Sequence, residues 1–138
     1  MVTSMARVFV FGSNDAGIHG AGAAKFAYQN KGARYGKSYG HYGDSFAIPT
    51  KDVDIETLPL ERIQMYVTGF LAYAKGHKHI EFQVTCIGCG LAGLKHEQVA
   101  PMFKGAPKNC MFDELWKPYL GDTVRYWGKK KKKRSNSF

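Results

Sequence analysis

Two glycine-rich stretches carry most of the chemistry this sequence offers. The first runs from Gly12-Ser13-Asn14 to Gly20-Ala21-Gly22-Ala23-Ala24, the second is Gly88-Cys89-Gly90-Leu91-Ala92-Gly93. Glycine lets main chain approach a ligand closely. Where such a loop opens a helix, unpaired N–H groups and the positive end of the helix dipole attract an anion. Asn14 and His19 add polar groups that helix–sheet packing alone does not require. His19 stands at the helix entrance, as a ligand contact or an acid/base group would. The chemistry implied is recognition of a nucleotide through its phosphates.

Other motifs are narrower. The second loop matches GxGxxG, with Asp113 about 20 residues on, as a dinucleotide fingerprint asks. Only 25 residues follow Asp113, too few for a doubly wound dinucleotide fold, so the loop reads as a phosphate cradle of another α/β fold. No GxxxxGK[ST] is present, which argues against P-loop hydrolysis. Cys86 and Cys89 form CxxC without a second pair, so they read as small buried thiols rather than a zinc site, and no metal site is expected. Lys51, taken by itself, is a solvated charge at a strand end.

These loops need elements to hold them. Arg7–Phe11 reads as a buried strand closed by Gly12 and Ser13, followed by a helix from near Gly20. The stretch Gly32–Gly43 reads as loop. There Tyr35, Tyr39 and Tyr42 alternate with glycines and with Arg34, Lys37 and His41, a mixture that stacks bases, folds over a ligand or simply covers surface. Ser45–Ile48 reads as a second strand stopped by Pro49. Thr57 is a candidate N-cap, with Pro59 in the first turn of a helix over Leu60–Lys75. His79–Thr85 alternates as a strand. A short helix from His96 to Phe103, irregular at Pro101, precedes strands at Asn109–Phe112 and Thr123–Trp127. Strands alternating with helices imply a three-layer α/β/α domain with a mixed or largely parallel sheet. In such sheets ligands sit at the carboxyl ends of strands, where both glycine loops begin.

Three blocks, HGAGAAKFAYQNKGARYG, SFAIPTKD and VTCIGCGLAGLKHEQVAPMF, resemble the macro domain in order and separation. The subgroup they resemble most removes terminal ADP-ribose from modified acidic side chains. The pattern SN…HGAGAA…IPTKD is also similar to small phage and bacterial macro-like proteins. The resemblance, over roughly residues 8–103, implies a macro-type fold with a central mixed sheet and an ADP-ribose cleft. It would set Gly20, Ala21 and Gly22 against the distal ribose and its phosphate, with Asn14 suited to the ribose hydroxyls. Thr50 would end the strand lining the cleft. Gly88, Cys89, Gly90 and Leu91 would wrap the diphosphate. Lys51 matches the lysine that attacks the anomeric carbon, and His19 is a candidate partner in catalysis. The subgroup's aspartate after the Gly-Leu pair is Ala92 here, and alanine supplies no acid or base. Asp52 adjoins Lys51, but strand neighbours face opposite ways. The resemblance therefore implies either a hydrolase of ADP-ribosyl linkages without metal or redox cofactor, or a non-catalytic sponge or sensor of an ADP-ribose-derived signal.

Composition bounds these readings. The chain has 138 residues, 44% of them hydrophobic, enough for one domain with a core. The domain is read as residues 1–128 and the basic stretch 129–138 as a disordered tail. Six of the nine net positive charges belong to Lys129–Arg134, leaving about +3 elsewhere. The tail could attract nucleic acid without reading sequence, as an accessory protein would. No cleavable leader or membrane-spanning run is seen, and three cysteines suit a reducing cytoplasm, a host's if the source is a phage. The expected partners are an ADP-ribose-type small molecule or an ADP-ribosylated macromolecule, and no membrane.

Overall fold

The computed structural model describes residues 6–128, so the basic tail lies outside the described residues. Six strands, β1 (Ala6–Asn14), β2 (Gly40–Tyr42), β3 (Ser45–Lys51), β4 (Ile80–Val84), β5 (Cys110–Asp113) and β6 (Arg125–Trp127), form one sheet. Their order is β2-β3-β1-β4-β5-β6. β2 is antiparallel to β3 and the other pairs are parallel, so the sheet is mixed. The expected three-layer α/β/α arrangement is what the chain adopts.

Alternation along β1 sorts the two layers, because successive side chains leave a strand on opposite faces. Phe9 and Phe11 pack with Ala24 and Ala27 of α1 (Gly22–Asn30) on one face. Val8 and Val10 face the other side, where α2 (Leu60–Gly76) buries Ile63, Val67, Phe70 and Ala74. Those four positions recur at helical spacing, and each of the three larger side chains contributes about 1.5–3 kcal/mol on burial. α3 (His96–Val99) continues into a 3₁₀ turn, Ala100–Phe103, where Pro101 withholds a donor. The stretch after β5, which pattern reading leaves indistinct, coils through Glu114–Trp116 and α4 (Lys117–Leu120) and buries Trp116 completely.

Several boundaries differ from the sequence reading. β1 runs on through Gly12 and Ser13, and β3 passes Pro49 to end at Lys51. Pro49 lies opposite Ser13, and the ladder shifts register between Ser13 and Asn14. A residue with no N–H is tolerated at such an irregularity. Thr57 does not cap α2, whose N-cap is Pro59. Thr57 instead bridges Lys51 and donates its hydroxyl to the Ala92 carbonyl at 2.8 Å. Part of the supposed loop Gly32–Gly43 is β2, paired with β3. Asp113, the fingerprint acid, is buried and accepts from the Leu115 N–H at 2.9 Å. No helix among the described residues is long and apolar enough to cross a membrane.

Two polar anchors hold the sheet's lower half. Buried Asn109 donates to the carbonyls of Ala74, His77 and Ile80 at 2.9–3.0 Å, joining the end of α2 to the start of β4. On the α1 face, Glu81 accepts from Arg7 at 2.8 Å and meets Arg125 at 3.1 Å. The hydrogen bond from Arg7, with Arg125 beside it, holds the Glu81 carboxyl below its usual range although partial burial opposes this.

Asn109→Ala removes a side-chain donor shared by three carbonyls, of which Ala74 and His77 keep the His77 and Ile80 N–H groups, and is expected to cost about 1–3 kcal/mol in urea denaturation. Because Glu81's pKa is lowered on folding, its contribution is complete above its unfolded value near 4.5 and lost as pH falls below it. Both arginines are about half exposed, so the loss is expected to stay under about 1 kcal/mol. Glu81→Gln should flatten that part of the stability–pH curve, read by thermal melts between pH 3 and 7.

Candidate functional site

β1, β3 and β4, three adjacent parallel strands, present their carboxyl ends to one cleft of about 290 Å³. The strand ends contribute Gly12, Ser13, Thr50 and Lys51, with Thr85 just past β4. The first glycine loop adds Asn14, Ile18 and Gly20–Ala24, and the second adds Cys86–Gly88 and Gly90–Ala92. The turn after β3 adds Ile55.

The first loop is shaped by its own polar groups. Asn14 accepts from the Ile18 N–H at 3.0 Å and donates to the Ile18 carbonyl at 2.8 Å, so both ends of its amide are spent on the loop. Gly17 has φ +71°, and a Cβ there would lie 2.6 Å from the Gly36 backbone. That close approach lets the Gly36 N–H reach the Gly17 carbonyl at 2.9 Å and straps the loop to the segment behind it. His19 completes the strap. Its Nε2 meets the Arg34 carbonyl at 2.8 Å and its ring lies edge-on to Phe11. At 1% exposure it lies behind the cleft wall, away from the lining, and its buried Nδ1 makes no hydrogen bond.

The second loop follows from tight turns. The Ile87 N–H donates to Thr85, Cys89 to Cys86, Leu94 to Gly88 and Gly93 to Gly90. Gly88 has φ +76°, and its Cβ would stand 3.0 Å from Leu94 Cδ1. Cys89 thus spends its N–H inside the loop, and its half-buried side chain packs against the core rather than lining the cleft. Burial pushes its thiol up to about 12, so it stays protonated and unreactive at neutral pH. By contrast, the N–H groups of Gly88, Gly90 and Leu91 donate to nothing within the described loop.

Lys51 and Thr50 are held by the strands and the turn beyond them. The Lys51 carbonyl accepts from the Asp15 N–H at 2.9 Å, and Thr50 Oγ1 donates to the Ser13 carbonyl. Asp52 is not turned toward Lys51. Its Oδ1 accepts from the N–H groups of Asp54 and Glu56, closing the turn that carries Ile55. Of the residues lining the cleft, Lys51 alone is a lysine or arginine, and no carboxylate joins it. α1 begins at Gly22 with Ala21 as an N-cap that offers no side-chain hydrogen bond. Its first N–H groups therefore stay open toward the loop. One lysine and two sets of open main-chain donors give the cleft a lining whose polarity suits an anion.

The structure thus brings together Asn14, Gly20, Ala21, Gly22, Thr50, Lys51, Gly88, Gly90 and Leu91, and leaves His19 and Cys89 outside the lining. Among the residues that sequence reading did not assign to the site are Ile18, Ile55, Thr85, Cys86 and Ile87. The contiguity of Thr85 and Cys86 with the loop was a usable signal; Ile18 and Ile55 carried none. The tyrosine segment divides. Tyr39 packs on Phe46 and Tyr66 and donates to the Tyr66 carbonyl, so it belongs to the core.

The fold is a macro-domain-like α/β arrangement. Solved structures similar to it include Thermosipho africanus DarTG in complex with ADP-ribose, at 16% identity and a TM-score of 0.54 over 88% of this chain. The chain spans 37% of the length of that DarTG chain. A Bacteroides thetaiotaomicron protein of unknown function is also similar, at 15% identity and a TM-score of 0.54, covering 91% of this chain and 89% of its own. No family model and no curated protein sequence matches.

The two loop glycines should differ under substitution. Left-handed backbone costs a non-glycine residue about 1–2 kcal/mol at either position. Gly88→Ala meets only the end of a leucine side chain and should lose about that much stability. Gly17→Ala meets backbone at 2.6 Å and should lose clearly more, in paired urea titrations.

Proposed function

We propose that this protein binds ADP-ribose or a closely related ADP-ribosyl nucleotide in the cleft between the two glycine loops. One observation carries the reading: the cleft combines open main-chain donors from two loops with a single lysine and no lining carboxylate. A diphosphate suits such a site, because charge-assisted hydrogen bonds to fixed N–H groups need no counter-charge rearrangement. The shared fold with the ADP-ribose complex of DarTG supports the choice of nucleotide.

The same inventory favours holding the ligand over cleaving it. Hydrolysis of an ADP-ribosyl linkage through Lys51 would need its amine to attack the anomeric carbon while another group protonates the leaving atom. Ala92 occupies the place of the acid, and buried His19 lies outside the lining. A sponge or sensor of an ADP-ribose-derived signal, free or attached to a macromolecule, fits these residues. Three cysteines, Cys86, Cys89 and Cys110, an odd number, fit a reducing cytoplasm as its setting. Lysine-driven hydrolysis is the second reading, kept because the Lys51 side chain does line the cleft.

Calorimetric titration decides the first point. ADP-ribose should bind one-to-one and at least about tenfold tighter than AMP, and Lys51→Ala should weaken it by roughly tenfold, the loss of one charged hydrogen bond. No heat up to millimolar ADP-ribose would sink the proposal. Chromatography of an ADP-ribosylated peptide after long incubation decides the second. Recovery of intact peptide supports the sponge; turnover that vanishes in Lys51→Ala establishes the hydrolase instead.

A further inference from the structure

A second surface adjoins the cleft without belonging to it. Between Asp15 and Asp44 the chain carries no acidic residue, while Lys25, Lys31, Arg34 and Lys37 fall within it. Lys25, Arg34 and Lys37 are exposed and Lys31 partly so. None of the four forms an ion pair among the described residues. The nearest carboxylate in sequence, exposed Asp44, is tied to this segment through its N–H on the Lys31 carbonyl. Lys25, Tyr28 and Lys31 are three residues apart on and just past α1, so they follow one side of the helix.

Two aromatic rings sit among these cations. Tyr28 and Tyr35 are 45% and 50% exposed, and their rings pack against each other at 4.5 Å with an interplanar angle of 64°. Tyr35 is fixed in place: its hydroxyl donates to the His19 carbonyl and its ring rests against the buried His19 ring. Tyrosine exposed singly needs no explanation, but a contiguous pair framed by cations that form no salt bridge, Lys37 lying over the Tyr42 ring, is a different surface. The exposed half of such rings accepts unstacked bases, and cations beside them accept phosphates. An acidic protein would use the cations and gain little from the rings.

We infer that Tyr28 and Tyr35, with Lys25, Lys31, Arg34 and Lys37, form a docking surface for single-stranded nucleic acid beside the cleft. Bases stack on the two rings and the sugar–phosphate backbone follows the cations. The surface reaches the cleft through Ile18 and His19: Ile18 is 51% exposed and lines the cleft mouth, and the His19 carbonyl carries Tyr35. Duplex DNA keeps its bases stacked inside and cannot use the rings. Four contacts imply a binding constant falling with salt at a logarithmic slope near about −3, from about −0.7 per single-strand phosphate.

The test is fluorescence anisotropy with a labelled 12-nucleotide single-stranded DNA of mixed sequence and its duplex, using the full chain. The chain shortened to residues 1–128 separates this surface from the basic tail. We expect single strand to bind tighter than duplex. Tyr28→Ala combined with Tyr35→Ala should lose at least about tenfold in both the full and the shortened chain, in keeping with the contribution of base–ring stacking. Tyr28→Phe, which keeps the ring, should retain binding. The ADP-ribose titration of the double variant reports whether its cleft is intact, and circular dichroism reports its fold whether or not the cleft proposal holds. Absence of binding, full dependence on residues 129–138, unchanged affinity in the double variant, or equal competition by poly-glutamate would each overturn the inference, the last in favour of an acidic protein partner.

Discussion

The cleft depends on β1 being buried on both faces and paired on both edges. Val8, Phe9, Val10 and Phe11 are all essentially inaccessible, two to each layer. β3 lies along one edge and β4 along the other. A strand in that position must satisfy its main chain within the sheet and cannot slip register without turning its phenylalanines into the wrong layer. Its carboxyl end is therefore a fixed point. Thr85 reinforces that point, donating both its N–H and its hydroxyl to the Val10 carbonyl. The two glycine loops start from adjacent fixed strand ends, so their separation is set before any loop residue contributes.

From there the molecule treats its loop polar groups in two ways. Asn14, Asp52, Thr57 and the His19 Nε2 all spend hydrogen bonds on neighbouring main chain, which makes the loops rigid at modest net gain per bond. The N–H groups along Gly88–Leu91 and at the start of α1 are left unspent. Buried, such donors would be costly; at an open cleft, water satisfies them. Rigid loops with open donors would lower the ordering cost of binding the charged ligand proposed above. That division also explains why polar residues near the cleft, His19 above all, are structural in effect.

The helices and the sheet were largely legible in the residues, because their signals are local. The spacing of Ile63, Val67, Phe70 and Ala74 announces α2, and the β-branched and aromatic runs announce β1 and β4. Boundaries were less so. Thr57 looks like a cap by type, yet the pairing of its backbone with Lys51 and of its hydroxyl with Ala92 outweighs that local preference. Pro49 looks like a stop, yet the register shift opposite it admits a residue with no donor. β2 hides in a glycine–tyrosine run because a three-residue edge strand owes its existence to its partner.

The sequence by itself determined the α/β class, the two glycine loops and the lysine at a strand end, since periodicity, glycine placement and residue type are all written locally. Tertiary structure alone decided which of those residues face one space. Asn14 and Lys51 are far apart in sequence but register partners across β1 and β3, while His19, one residue from the glycines it accompanies, turns inward to the Arg34 carbonyl. The physical reason is that side-chain direction depends on which carbonyls and rings a residue can reach once the strands are paired. No reading of neighbours along the chain contains that information.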